Sequence, residues 1–142
     1  MKTNEAGIAL IKDFEQCRLR AYLDGKGIPT IGWGHAFGVQ LGDTCTQDEA
    51  DELLAGDLIH AEDDVARLVK VPLTGNEQAA LVSWFYNLGA AKVKNSTLLR
   101  LLNKMEYDLA ANEFLRWVSP GSINEAGLTR RRKAERSLFL TI

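Results

Sequence analysis

The stretch FEQCRLRAYLDGKGIPTIGWGH, residues 14–35, carries the signals that decide the fold of this chain. Apolar side chains at three-residue steps lead into it and predict a short amphipathic helix: Ile8, Ile11 and Phe14. Thr3 or Asn4 is the expected cap of this helix, and Glu15 falls at its end. Alternating apolar residues, the turn-forming run DGKG at 24–27 and a second extended run then predict a small glycine-rich β-meander.

The remainder of the chain carries helical signals. Two capping boxes, each a threonine followed three residues later by a glutamate, mark helix starts at Thr46 and Thr74. The first predicts a long helix over about 47–70, because apolar residues keep helical spacing until Pro72. The second starts a helix that is apolar on nearly all sides and stops at Gly89. Shorter helices are predicted over 96–103, 107–117 and 128–139.

This order of elements predicts an α+β fold class within a single domain of residues 1–142. A small N-terminal lobe of helix and β-hairpin is expected over about 1–45 and a helical C-terminal lobe over about 72–142, joined by the long helix. We expect a cleft between the lobes, because clefts at lobe junctions are common ligand sites.

Composition excludes several classes of partner. The chain has 17 basic and 19 acidic residues, so no global field draws it to nucleic acid or to anionic lipid. The longest apolar run in the first twenty residues, 8–11, is too short for a signal peptide or a membrane span. We therefore predict a cytoplasmic product without stable membrane insertion.

Two cysteines, Cys17 and Cys45, permit a single disulfide. Reduced thiols are favoured over a bridge, because the sequence shows no export signal and a chain of this size can bury a full core. Only His35 and His60 could join the cysteines around a metal, and their spacing matches no zinc motif. The sequence predicts neither a metal nor an organic cofactor.

Three residues have the right types for hydrolysis of a glycosidic bond. Glu15, at a helix end beside apolar residues, could serve as a general acid, while Asp24 in a polar turn stays ionised. Thr30, on the next extended run, could help Asp24 hold a water on the opposite face of the sugar. Because 19 acidic residues are scattered along the chain, these residue types alone do not single out the three.

The opening stretch closely resembles the signature of phage-type lysozymes, the class that includes many endolysins. The resemblance lies in Phe14-Glu15, in Ala21-Tyr22-Leu23-Asp24-Gly25 and in Gly27-Ile28-Pro29-Thr30-Ile31-Gly32-Trp33-Gly34-His35. In that family a Glu, an Asp after eight intervening residues and a Thr after five more form the catalytic triad, and both spacings are kept here. Further family-like blocks extend the resemblance over nearly the whole chain: 42–44, 80–89, 95–99, 113–117 and 127–132.

The resemblance implies a lysozyme-like fold and an endolysin. Such an enzyme hydrolyses the β-1,4 bond between N-acetylmuramic acid and N-acetylglucosamine in peptidoglycan, with inversion, and so lyses the bacterial host. Peptidoglycan glycan strands are then its partner, a monomer is expected, and nucleic acid is not. A phage lysozyme without an N-terminal anchor is similar to those that wait in the host cytoplasm for a holin and then reach the periplasm and cell wall.

One departure from the family pattern lies next to the acid. Relatives commonly have Gly after the Glu, whereas this chain has Gln16. Gln is compatible with ordinary helical geometry, so we expect Glu15 to keep its role. The direction in which the Glu15 side chain points depends on the backbone angle at Gln16.

The resemblance also implies supporting residues. His35 is expected to be a structural imidazole, and Asp57, on the long helix where relatives place a partner for it, is predicted to pair with it. Five residues fall in blocks that resemble the walls of the family's cleft and are predicted to bind substrate: Ala36, Phe37, Tyr86, Ser96 and Arg116. Trp33 and Trp117 are expected to pack in the core.

Three other functions remain open at this point. A basic cluster over 130–136 could bind phosphate and would suit a small nucleic-acid-binding protein, although acidic residues lie nearby. A wall-binding module without turnover would share the fold. A lytic transglycosylase would use one Glu as acid and base, and the presence of Asp24 and Thr30 argues against it.

Overall fold

The first helix begins where a side chain can satisfy its free amides. In the computed structural model, which describes residues 1–142, the Gly7 N–H donates to the Asn4 side-chain oxygen at 2.9 Å, so Asn4 is the cap. Thr3, the other candidate, instead donates its N–H and its hydroxyl to one oxygen of Glu62, at 2.7 and 2.6 Å. This helix, α1, spans Glu5–Glu15.

Nine further elements follow in chain order. They are β1 Arg18–Leu23, β2 Pro29–Gly32, α2 Gln47–Leu68, α3 Gly75–Leu88, α4 Ala90–Val93, α5 Thr97–Asn103, α6 Tyr107–Glu113, a 3-10 helix Phe114–Arg116 and α7 Glu125–Leu140. No helix is long and apolar enough to cross a lipid bilayer.

The strands form one antiparallel hairpin. Tyr22 pairs with Thr30 and Leu23 with Pro29, and an irregularity separates these pairs from the pair of Arg18 and Gly32. Outside the hairpin, Arg20 and Thr44 form an isolated antiparallel bridge. The apolar alternation in β1 does not mark a buried face, because Leu23 remains 52% exposed.

Both predicted capping boxes are present. At α2 the Glu49 N–H donates to the Thr46 hydroxyl at 3.1 Å, while the Thr46 N–H donates to Glu49 at 2.9 Å. The equivalent pair at α3 joins Thr74 and Glu77. α2 ends at Leu68, before Pro72, and α3 ends before Gly89, whose φ of 85° suits glycine.

Two helix predictions need correction. The helix expected over 107–117 ends at Glu113, and a short 3-10 turn replaces its last part. The helix expected over 128–139 begins earlier, at Glu125, and ends at Leu140. Hydrophobic spacing locates such elements but does not fix their ends, which depend on local hydrogen bonding.

The chain divides into two compact units. The helical unit comprises residues 1–10 and 61–142, and the hairpin unit comprises residues 11–60. In the helical unit, α3 lies against α7 and buries Trp84 completely. Three edge-to-face ring contacts at 5.6 Å, with Phe85, Phe114 and Trp117, surround this indole.

Two members of the basic cluster on α7 are internal, whereas Arg130 and Lys133 are exposed. Arg131 and Arg132 are buried, and both pair with the buried Glu135, at 3.3 and 3.0 Å. Ser83 of α3 donates its hydroxyl to the same carboxylate at 2.6 Å. Burial raises the pKa of the Glu135 carboxyl, and the two guanidinium groups oppose that rise. Arg131 and Arg132 therefore belong to a structural network inside the helical unit.

Candidate active site

The hairpin turn is built around Asp24. Its Oδ1 accepts the N–H groups of Lys26 and Ile28, at 2.8 and 2.9 Å. The backbone closes the same turn, because the Asp24 N–H donates to the Ile28 carbonyl at 3.0 Å and Gly27 N–H to the Asp24 carbonyl at 2.9 Å. An Asp-Gly-rich sequence favours this geometry, since an aspartate can hydrogen-bond the backbone just ahead of it.

These contacts set the charge state of Asp24. The amides of Ile28 and Lys26 hold the pKa of its carboxyl below the ordinary value, with a smaller contribution from the Lys26 ammonium. Both amides are accepted by Oδ1, and Oδ2 makes no hydrogen bond to the protein. Asp24 is thus a carboxylate at neutral pH with one oxygen left for another donor.

Thr30 is joined to Asp24 through a single residue. The buried Thr30 hydroxyl donates to the Ile28 carbonyl at 2.9 Å, while the N–H of Ile28 donates to Asp24. Because the hydroxyl donates its proton to that carbonyl, it can bind a water only as a hydrogen-bond acceptor. The structure therefore brings two of the three predicted catalytic residues together around Ile28.

Glu15 is the last residue of α1 and is half-buried. The next residue, Gln16, has φ of 61°, in the left-handed region, and its N–H donates to the Lys12 carbonyl at 3.2 Å. Gln16 thus does not continue the helical geometry of α1. The chain leaves the helix through a left-handed residue, a common helix ending that favours glycine.

A polar cluster that the sequence reasoning missed holds the end of α1 to the hairpin. Asp51 of α2 accepts the Trp33 indole N–H at 2.8 Å and lies 3.2 Å from the Lys12 ammonium. The same ammonium lies 5.2 Å from the centre of the Trp33 ring. The bond from Trp33, followed by those from Lys12 and Gln47, lowers the pKa of Asp51 against the effect of burial. Lys12 precedes Glu15 by about one helical turn, so this cluster holds the last turn of α1, where Glu15 lies.

His35 contacts Asp57 as the sequence predicts. Its Nδ1 lies 3.0 and 2.9 Å from the two carboxylate oxygens, and its Nε2 lies 2.9 Å from the Phe37 carbonyl. The backbone of His35 also pairs with Ile31 through two hydrogen bonds. Both ring nitrogens are thus engaged by the protein, which is typical of a structural imidazole.

The predicted substrate residues fall in both units. Ala36 and Phe37 are exposed in the hairpin unit, where 91% of Phe37 is accessible. Tyr86 is half-buried near the end of α3 in the helical unit, and Ser96 there caps α5 by accepting the Leu99 N–H at 3.2 Å. Arg116, also in the helical unit, is exposed and donates its Nε to Glu113 at 2.7 Å.

Cys17 and Cys45 are both free and half-buried in the hairpin unit. Burial raises the pKa of the Cys45 thiol, and Cys17 and Glu49 add to the rise. The Cys45 thiol therefore stays protonated at neutral pH, which is the behaviour of a structural cysteine.

Comparison with known proteins identifies the family. The Phage lysozyme family model matches residues 12–135, which include Glu15, Asp24 and Thr30. The chain belongs to the phage lysozyme family. It is 42% identical to an endolysin of Salmonella phage P22, over 99% of both chains, and 42% identical to an endolysin of Bacillus phage B103.

The second of these relatives is longer, since the match covers 99% of this phage lysozyme family member but 55% of the Bacillus phage protein. Among solved structures, the muramidase domain of SpmX from Asticaccaulis excentricus matches with a TM-score of 0.92 and 39% identity, over 99% of both chains. The predicted lysozyme-like α+β fold is therefore confirmed.

Proposed function

We propose that this chain is an endolysin of the muramidase type, which hydrolyses the β-1,4 bond between N-acetylmuramic acid and N-acetylglucosamine in peptidoglycan with inversion. Its similarity to the phage endolysins and to a muramidase domain supports the activity. The single observation that carries the mechanism is the joint placement of Asp24 and Thr30 around Ile28.

In this mechanism Asp24 and Thr30 manage the attacking water. Oδ2 of Asp24 accepts one water proton and the Thr30 hydroxyl oxygen accepts the other, because its own proton is given to Ile28. A water held by two acceptors presents a lone pair to the anomeric carbon. Asp24 then takes the proton as the water oxygen forms its bond to that carbon.

Glu15 supplies the other half of the reaction. It donates a proton to the glycosidic oxygen on the opposite face of the sugar as the bond from that oxygen to the anomeric carbon breaks. The electrons of the broken bond stay on the protonated leaving oxygen. Ala36, Phe37, Tyr86, Ser96 and Arg116 are the proposed contacts to the glycan. No metal or organic cofactor is required by this scheme.

The proposed biological role is lysis of the bacterial host. The enzyme would act as a monomer, wait in the host cytoplasm until a holin opens the membrane, and then reach the periplasm and cell wall. Neither nucleic acid binding nor membrane insertion is part of this role.

The test is digestion of purified peptidoglycan by the wild type and by Glu15→Gln, with mass spectrometry of the products. We expect reducing N-acetylmuramic acid ends from the wild type and almost none from Glu15→Gln. Asp13→Asn, an exposed carboxylate on the same helix, is the matched control and should keep full activity. Substantial activity of Glu15→Gln would exclude its role as the acid, and 1,6-anhydro ends would indicate a lytic transglycosylase.

A further inference from the structure

Acidic residues are absent from one long segment of the helical unit. Residues 78–105 contain no aspartate or glutamate but include four basic residues: Lys92, Lys94, Arg100 and Lys104. The chain as a whole carries a small negative net charge of -2. Positive charge is therefore concentrated locally, although the total charge conceals it.

Three of these cations line one cavity of about 450 Å³. Lys94 precedes α5, Arg100 lies on that helix and Lys104 follows it, so a single turn-helix segment brings them together. No aspartate or glutamate lines this cavity, which we call the cationic cavity. Three like charges around one concavity repel each other, and a bound anion would relieve that repulsion.

Neutral donors lie among the cations. Asn95, Ser96 and Asn103 also line the cavity. The Ser96 hydroxyl oxygen accepts the Leu99 N–H, which leaves its proton for another acceptor. Asn103 is held firmly, because its oxygen accepts the Lys70 N–H at 2.7 Å and its amide donates to the Leu68 carbonyl at 3.0 Å. One wall of the cavity is thus anchored to the chain that follows α2.

Arg100 is also oriented within this wall. Its Nη2 donates to the Thr97 hydroxyl at 3.0 Å, one turn earlier on α5. This bond uses one of the five N–H donors of the guanidinium and leaves the others for a ligand. Neither Lys94 nor Lys104 forms an ion pair with a carboxylate of the chain, in contrast to the paired arginines of α7.

We propose that the cationic cavity binds a phosphoryl group. Two ammonium groups, a guanidinium and a hydroxyl offer more donors than the two oxygens of a carboxylate can accept, whereas a phosphoryl group presents three or four charged oxygens. Free phosphate and the phosphate of a phospholipid headgroup both present such oxygens. This site does not include Glu15, Asp24 or Thr30, and it shares only Ser96 with the contacts proposed for the glycan.

The direct test is titration of the full chain with inorganic phosphate at constant ionic strength, followed by amide NMR. We expect saturable shifts concentrated at residues 94–104. The double variant Arg100→Gln/Lys104→Gln should bind at least about tenfold more weakly, since it removes two charged hydrogen-bond donors from the cavity. The matched control is Arg130→Gln/Lys133→Gln, which removes the same charge from exposed positions on α7 and should bind as the wild type does.

Three results would overturn the proposal. They are the absence of saturable shifts, an equal loss of affinity in the α7 control, and equal binding of acetate at the same ionic strength. A second arm identifies the source of the phosphoryl group by sedimentation with phosphatidylglycerol vesicles. Co-sedimentation that the double variant loses assigns a lipid headgroup, whereas phosphate binding without co-sedimentation assigns a soluble phosphate.

Discussion

Asp24 of the hairpin unit and Glu135 of the helical unit are acidic residues whose surroundings shift their pKa in opposite directions. Backbone amides lower the pKa of Asp24, while burial raises the pKa of Glu135 against two arginines. One oxygen of Asp24 has no partner in the protein, whereas both oxygens of Glu135 contact Ser83, Arg131 or Arg132. A carboxylate with an unengaged oxygen can act on a water, and one enclosed by partners stabilises the core.

The largest expected effect concerns activity at Asp24. Asp24→Asn keeps an oxygen for the turn amides but removes the base, so activity on peptidoglycan should fall about a hundredfold to ten-thousandfold. Turbidity clearing of outer-membrane-permeabilised cells measures this loss. Unfolding in urea should change little. A variant with near wild-type activity would mean that Asp24 serves the turn alone.

The opposite result is expected at Glu135. Glu135→Ala leaves two buried guanidinium groups without their shared partner and should lower the free energy of unfolding by about 3–5 kcal/mol. Urea denaturation measures the change, and Glu52→Ala, an exposed glutamate on α2, is the control with little expected effect. If the two variants were equally stable, the buried ion pairs of Glu135 would make no net contribution to the free energy of unfolding.

A smaller effect is expected in the backbone beside Glu15. Gln16 has a left-handed φ of 61°, which is strained for a residue with a side chain. Gln16→Gly relieves this strain and should stabilise the protein by about 0.5–1 kcal/mol after the backbone entropy cost of glycine is included. Thermal unfolding measures the change. Gln40→Gly, in a loop without a positive φ, should be neutral or destabilising instead. Parallel behaviour of the two variants would argue against strain at Gln16.

The smallest expected effect is a change in the pH dependence of stability when the charge of Asp24 is removed. Because the folded pKa of Asp24 lies below its ordinary value of 3.8, its contribution to stability is present above that pH and is lost as the pH falls through the folded pKa. Asp24→Asn should therefore lose less stability on acidification below 3.8 than the wild type. Thermal unfolding across that range tests this, with Asp13→Asn as the control. If wild type and Asp24→Asn lost stability equally as the pH falls, the lowered pKa of Asp24 would not contribute to the acid sensitivity of the fold.

Local sequence patterns were sufficient for much of the fold. Both capping boxes form as predicted, since their hydrogen bonds join residues three apart. The turn chemistry of Asp24 was equally readable, because its partners lie two and four residues ahead. The run of basic residues on α7 did not show that Arg131 and Arg132 are buried, because their burial depends on the residues around them, including Ser83 and Glu135.

The candidate site also combines residues that the sequence predicted with residues that only the folded chain revealed. The resemblance to phage-type lysozymes selected Glu15, Asp24 and Thr30, whereas their residue types alone did not. Only the tertiary structure revealed Asp51, which joins Lys12 and Trp33 from a different helix. It also showed that Gln16, whose backbone the sequence left open, is left-handed. Contacts within a few residues are encoded locally, whereas contacts between distant segments and the burial they create exist only once the chain has folded.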